Sequence, residues 1–179
     1  MKNVIHIFGA SGSGTTTLGK RIADELGFKH MDTDDYFWMP TNPPYTTKRP
    51  AEERIEMMLA DIKNAQNVVI SGSLTDWGDS LIPYFTLAIR VNTDTGVRIE
   101  RLKNRERKQF GNRIDKGGDM YETHMAFIEW AKGYDTGDVS MRSKAKHDEW
   151  QKLLQCDLLV IDGNDILNLD MEMIKQRIE

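Results

Sequence analysis

Residues 4–27 of this chain read VIHIFGASGSGTTTLGKRIADELG. The first five residues form an almost wholly apolar run, which is typical of a strand buried on both faces of a parallel sheet. Leu18, Ile22 and Leu26 then recur at helical spacing, and Gly27 follows as a stop signal. We therefore expect a strand, a glycine-rich loop and a helix, in that order.

The loop between this strand and this helix differs at one position from the phosphate-binding pattern G-x-x-x-x-G-K-[ST]. Thr15 stands where the pattern has lysine, and Thr16 stands at the hydroxyl position that coordinates Mg²⁺. Glycines let the backbone approach a polyphosphate closely, and the free N–H groups at the helix start point at the anion. The predicted nucleotide-binding residues here are Gly9, Ser11, Gly12, Ser13, Gly14, Thr15, Thr16 and Thr17.

The threonine at position 15 carries no charge, whereas a charge-assisted hydrogen bond stabilises by about 1.5–3 kcal/mol. Phosphate binding should therefore be weakened unless another cation replaces the lysine. Lys20 is poorly placed, since it lies about 140° further round the helix. The alternative is a glycine-rich turn that binds no ligand.

Composition limits the class of protein. The chain has 179 residues, a net charge of -4 and one cysteine, Cys156, and it contains no apolar run long enough to span a membrane. We expect a single cytoplasmic domain that binds neither membrane nor nucleic acid. The charge is unevenly distributed, because residues 98–116 contain eight basic and three acidic residues in a chain that is acidic as a whole. The oligomeric state stays open.

Strand and helix patterns alternate along the rest of the chain, which predicts a parallel sheet. The expected strands are 28–31, 68–70, 85–91 and 158–161, and helices are expected after Pro50, over 94–107, near 119–132 and at the end of the chain. Residues 36–66 are the predicted acceptor-binding segment. Short glycine-broken connections predict a lid over about 107–147.

Acidic residues follow the second strand. Ligands bind beyond the carboxyl ends of parallel strands, so Asp32 and Asp34 are candidate catalytic residues, and Asp35 is a candidate acceptor-binding residue. Asp32 and Thr16 are the candidate Mg²⁺ ligands, because the third strand ends in Ser71 and not in an acid. The alternative explanation of the same acids is an ordinary solvated turn or a helix cap.

Basic residues cluster on the helix predicted over 94–107. Arg101 and Arg105 lie on one face, in a stripe with Arg98, and arginine binds phosphate oxygens bidentately. Arg101, Arg105 and Arg142 are candidate catalytic residues, and one of the chain's arginines is expected to supply the charge that Thr15 lacks. The alternative is a solvated helix with local ion pairs. The remaining candidate acceptor-binding residues are Trp38, Ser71, Trp77 and Arg113, although tryptophans more often serve in packing.

A phosphate loop after the first strand, acids after the second and Arg101-x-x-x-Arg105 after the fourth together resemble the small P-loop kinases, the group of nucleoside monophosphate and shikimate kinases. Asp32-Thr33-Asp34 resembles the Asp-Thr-Asp of shikimate kinases, and the arginine pair is similar to the lid entry of adenylate kinases. A loop without lysine also occurs in archaeal cytidylate kinases. The resemblance implies a three-layer α/β/α fold with a five-stranded parallel sheet of order 2-3-1-4-5 and a helical lid. It also implies that Asp162 and Gly163 contact the nucleotide.

These observations lead us to expect a phosphotransferase that moves the γ-phosphoryl group from ATP, with Mg²⁺, to a small acceptor such as a nucleotide, a nucleoside or another hydroxyl metabolite. Thr15 favours a different class, a regulatory protein that binds nucleotide without catalysis. An ATPase without an acceptor is a third possibility.

Overall fold

The computed structural model describes residues 2–178 and contains a five-stranded sheet of order β2-β3-β1-β4-β5. All neighbouring strands are parallel, which confirms the predicted topology. The strands are β1 Val4–Gly9, β2 Lys29–Asp32, β3 Val68–Ser71, β4 Leu87–Asn92 and β5 Asp157–Asp162.

Seven helices connect or follow the strands in the part of the chain described. They are α1 Thr15–Leu26, α2 Thr33–Phe37, α3 Ala51–Asn64, α4 Thr95–Phe110, α5 Tyr121–Lys132, α6 Lys144–Trp150 and α7 Glu172–Ile178. The sequence did not predict α2 or α6, because neither is long enough to display a periodic apolar stripe. We call residues 111–143, between α4 and α6, the crossover segment.

The helices form a layer on each side of the sheet. On one side, Leu18 and Ile22 of α1 and Ile174 of α7 join a buried core. On the other side, Met58 and Ile62 of α3 pack against the sheet with α6. Within residues 2–178, no helix combines the length and the apolar character needed to cross a membrane.

His6 lies in the central strand and is completely buried. Its ring stacks against Phe8 and Phe85, and its Nε2 lies 2.9 Å from the Gly72 carbonyl oxygen, which can only accept a hydrogen bond. Burial lowers the pKa of His6 to about 4, against a smaller opposing effect of the Gly72 bond. His6 is therefore neutral in the folded protein near pH 7.

This buried histidine predicts a pH dependence of stability. The unfolded chain protonates His6 near its ordinary pKa of 6.5, whereas the folded chain resists protonation down to about pH 4. Stability is therefore highest above pH 6.5 and falls as the pH decreases through this window, by about 1.4 kcal/mol per pH unit for this group. Urea unfolding of wild type and His6→Phe between pH 6 and 5 tests this. We expect the variant to have the shallower slope, and equal slopes would contradict the prediction.

Candidate nucleotide-binding site

The loop after β1 has the backbone shape that phosphate binding requires. Gly12 and Gly14 have φ values of 80° and 105°, a region that favours glycine. A Cβ on Gly12 would lie 2.6 Å from the carbonyl oxygen of Arg98. The loop therefore rests directly on α4, and only glycine fits there.

Ser13 fixes the loop through its backbone and leaves its hydroxyl free. The Ser13 carbonyl accepts a hydrogen bond of 2.9 Å from the Thr93 hydroxyl and a longer one of 3.5 Å from Arg101. The Ser13 Oγ is buried and has no partner among residues 2–178. A buried, unbonded hydroxyl is costly, and a Cβ on Gly9 would lie only 2.7 Å from this Oγ, so the hydroxyl faces Gly9 inside the loop.

Two predicted metal ligands meet at the start of α1. The Thr16 hydroxyl donates to Asp32 Oδ2 at 2.9 Å. The other oxygen, Asp32 Oδ1, accepts from the backbone N–H of Asp34 at 3.1 Å and caps α2. A hydroxyl and a carboxylate are the oxygen donors that Mg²⁺ uses together with substrate phosphates. Across residues 2–178 no group of three or more metal-binding side chains forms a cage of its own.

Asp34 lies in a field of mixed charge. Its side chain is exposed, although the surrounding protein atoms partly desolvate its carboxyl group. This desolvation and the neighbouring Asp32 raise the pKa of Asp34, while Arg142 and Arg105 act in the opposite direction. The structure thus brings together two predicted carboxylates and two predicted arginines.

The two arginines near Asp34 differ in their surroundings. Arg142 donates from Nη2 to the Ser11 hydroxyl of the loop, and its guanidinium lies 4.7 Å from the centre of the Trp130 ring. Arg105 is exposed on α4 and, within residues 2–178, takes part in neither a hydrogen bond nor an ion pair. Its nearest aromatic contact is Phe127, at 5.9 Å.

The other candidate arginines have protein partners. Arg101 donates to the carbonyl oxygens of Gly163 and Asn164, at 2.8 and 2.9 Å, and so ties the turn after β5 to the loop. Arg113 pairs with Asp119 inside the crossover segment, at 2.7 Å. Arg101 therefore lies beside the loop, whereas the contacts of Arg113 are local.

Arg98, which the sequence predicted in the basic stripe of α4, is not accessible to a ligand. Its side chain is completely buried. It donates to the backbone carbonyls of Thr93 and Ala131 and pairs with Asp135 at 2.8 Å. The three arginines of the stripe do share one face of α4, but the crossover segment covers Arg98.

Aromatic side chains cluster at the start of the predicted acceptor-binding segment. Phe37 contacts Trp38 and Trp77, with ring centres 4.8 and 5.9 Å apart. The Arg54 guanidinium lies 3.9 Å from the centre of the Phe37 ring and 5.4 Å from that of Trp77. Sequence reasoning missed Arg54. The available signal was its position four residues before Met58, on the buried face of α3.

The remaining predicted residues have various surroundings. Ser71 is completely buried, and its hydroxyl bonds to His30 Nε2 at 2.8 Å. Asp35 is exposed on α2. Asp162 lines a cleft of about 620 Å³ that adjoins the loop at Ala10, while Gly163 packs against the loop itself. The cleft lies at the carboxyl ends of β4 and β5, where open parallel sheets bind ligands.

Comparisons with known proteins place this site in a wider group. Residues 5–120 match the AAA_18 family, described as an AAA domain. The Uncharacterized protein YqaC of Bacillus subtilis (strain 168) is 38% identical over 168 residues, which cover 94% of this chain and 93% of that protein. Cytidylate kinase of Pyrococcus horikoshii is 31% identical over 115 residues, which cover 59% of this chain and 58% of that enzyme.

Solved structures share the fold at low identity. Shikimate kinase from Acinetobacter baumannii in complex with shikimate has a TM-score of 0.54 at 14% identity, covering 99% of this chain and 94% of the other. Deoxyadenosine kinase from M. mycoides with bound dATP has a TM-score of 0.54 at 15% identity, covering 98% of each chain.

Proposed function

The chain belongs to the AAA-domain family, within the superfamily of small P-loop kinases, and on this premise we propose that it transfers the γ-phosphoryl group of Mg·ATP to a small acceptor. The observation that carries this proposal is the 2.9 Å contact between the Thr16 hydroxyl and the Asp32 carboxylate. The two oxygen atoms lie side by side at the start of the helix that follows the glycine-rich loop, which supports a metal site next to bound phosphates.

The residues of the loop and the N-cap residue of α2 are suited to bind Mg·ATP. The backbone N–H groups from Gly12 to Thr16 would bind the phosphates, and the positive φ values of Gly12 and Gly14 support the same assignment. Thr16 and Asp32 would hold Mg²⁺. Mg·ATP, when bound, supplies the phosphoryl group and the metal charge that offsets the developing negative charge.

Asp34 and Arg105 would act on the acceptor side of the reaction. The pKa of Asp34 is raised, so for an acceptor that reacts through a hydroxyl its carboxylate is better suited to accept the proton than an ordinary surface carboxylate. An acceptor that reacts through a phosphate oxygen needs no such base. Arg105 has no protein partner among the described residues, and its guanidinium is available for a phosphate group.

Arg54 suggests the chemical class of the acceptor. It projects from α3 between two aromatic rings, and its one hydrogen bond within residues 2–178 runs from Nε to the Arg49 carbonyl oxygen. The two Nη atoms of this largely buried cation are free for an anion. We therefore favour an acceptor with a phosphate or a carboxylate group, and the similarity to a cytidylate kinase makes nucleoside monophosphates the first to test.

Calorimetric titration with ATP, with and without Mg²⁺, is the first test. We expect micromolar binding, about -8 kcal/mol, strengthened by Mg²⁺. A screen of nucleoside monophosphates and hydroxy acids for phosphoryl transfer then follows. Transfer to one class of acceptor would support the kinase. Binding without transfer or hydrolysis would favour the regulatory alternative that Thr15 suggests, and hydrolysis insensitive to every acceptor would favour an ATPase.

A further inference from the structure

Arg142 is a partly buried cation, with its Nε atom fully buried, that lies against the phosphate-binding loop without a counter-ion. We infer that Arg142 supplies, from the crossover segment, the positive charge that Thr15 does not, and that it binds the nucleotide phosphates directly. This inference rests on the proposed nucleotide-binding function and names the residue that compensates for the missing lysine.

The contacts of Arg142 hold its guanidinium at the loop. Nη2 donates to the Ser11 hydroxyl, and the flat face of the group stacks on Trp130. Nε is buried and has no hydrogen-bond partner in the part of the chain described. The next residue, Ser143, is completely buried and caps α6 by accepting from the Lys146 N–H at 3.0 Å. The backbone that follows Arg142 is thus fixed by the start of α6.

The electrostatics of Arg142 favour an anionic ligand. Arg98, Arg90 and Arg113 each form an ion pair with an aspartate, whereas Arg142 forms none with any residue from 2 to 178. Burial lowers the pKa of Arg142, and Asp34 opposes this effect, but arginine keeps its proton in proteins. A buried charge without a hydrogen-bonded counter-ion is destabilising. A phosphate group bound at the loop would remove this cost.

The other cations explain the missing lysine less well. Lys20 is exposed on α1. Arg101 is already bonded to three backbone carbonyl oxygens. Arg105 is free, but it lies on the surface of α4 and makes no contact with the loop through a hydrogen bond. Arg142 alone among these four combines burial with a direct bond to a loop side chain.

A charge-relocation experiment tests this inference by calorimetry with Mg·ATP. Arg142→Ala should weaken binding by about 10- to 100-fold. Adding Thr15→Lys to that variant restores the charge at the usual position of the motif and should recover most of the lost affinity. Arg107→Ala, which removes an exposed arginine from α4, should change affinity by less than about twofold.

Two results would overturn the inference. The first is unchanged ATP affinity in Arg142→Ala. The second concerns the double variant Arg142→Ala with Thr15→Lys. The inference fails if this variant binds ATP as weakly as Arg142→Ala, while Thr15→Lys alone binds ATP as well as wild type. If Thr15→Lys alone disturbs the loop, salt dependence decides. ATP affinity of Arg142→Ala must then fall less steeply with salt than that of wild type, and equal slopes overturn the inference. These experiments measure ATP binding and not phosphoryl transfer. If the wild-type protein binds ATP but transfers no phosphate, the kinase proposal fails, whereas the role of Arg142 in ATP binding can still be tested.

Discussion

Asp32→Asn is expected to lower phosphoryl transfer by about 10²- to 10³-fold and to abolish the strengthening of ATP binding by Mg²⁺. Asparagine keeps the Oδ1 that accepts the Asp34 N–H, so the cap of α2 survives. The amide group that replaces Oδ2 cannot accept from the Thr16 hydroxyl and brings no negative charge to a metal ion. The substitution therefore separates the metal-binding role of Asp32 from its structural role.

The measurement is a pair of ATP titrations, with and without Mg²⁺, together with the transfer rate to the acceptor that the screen identifies. Asp24→Asn is the matched control, because it removes an exposed carboxylate from α1 without touching the loop. A normal Mg²⁺ effect in Asp32→Asn would show that its carboxylate does not hold the metal ion. Circular dichroism and urea unfolding verify that the variant remains folded.

Arg98→Met is expected to destabilise the protein by about 3 kcal/mol, or roughly 6–12 °C in melting temperature. Methionine keeps much of the aliphatic volume but leaves the carbonyls of Thr93 and Ala131 without their donor. Removal of the guanidinium also breaks the only ion pair that joins Asp135 to α4 in the described chain. Arg98 thus fastens the crossover segment to α4 and to the turn that precedes it.

Urea unfolding of Arg98→Met gives this free energy directly. Arg107→Ala again serves as the control on the same helix, since its partner is the exposed Asp115 and its loss should have little effect. A decrease in stability as small as that of the control would mean that the hydrogen bonds of Arg98 contribute nothing net to folding.

The sequence predicted the central part of the fold well because its patterns are strong there. The apolar run at 4–8 became a fully buried strand, and the Leu18 and Ile22 stripe became the buried face of α1. The acids after β2 were interpreted either as functional groups or as a helix cap. Asp32 caps α2 and also contacts Thr16, so the two interpretations do not exclude each other.

The sequence was less informative where tertiary contacts determine the surroundings of a side chain. Arg98 shares a helical face with Arg101 and Arg105, and only the fold places the crossover segment over one of the three. Arg54 looks like an ordinary helix-surface residue until Phe37 and Trp77 are brought to it from α2 and from the loop after β3. Sequence periodicity indicates on which face of a helix a residue lies, but it does not indicate which other parts of the chain cover that face.

The position of β5 has a consequence for how this protein is made. β5 is the outermost strand on its side of the sheet and comes from residues 157–162, whereas its neighbour β4 ends at Asn92. During translation, β4 is therefore synthesised long before the strand that will pair with it leaves the ribosome. A nascent or truncated chain presents an apolar strand with one unpaired edge, which invites association with other chains. Chaperone protection during synthesis should matter for this protein until residue 162 has emerged.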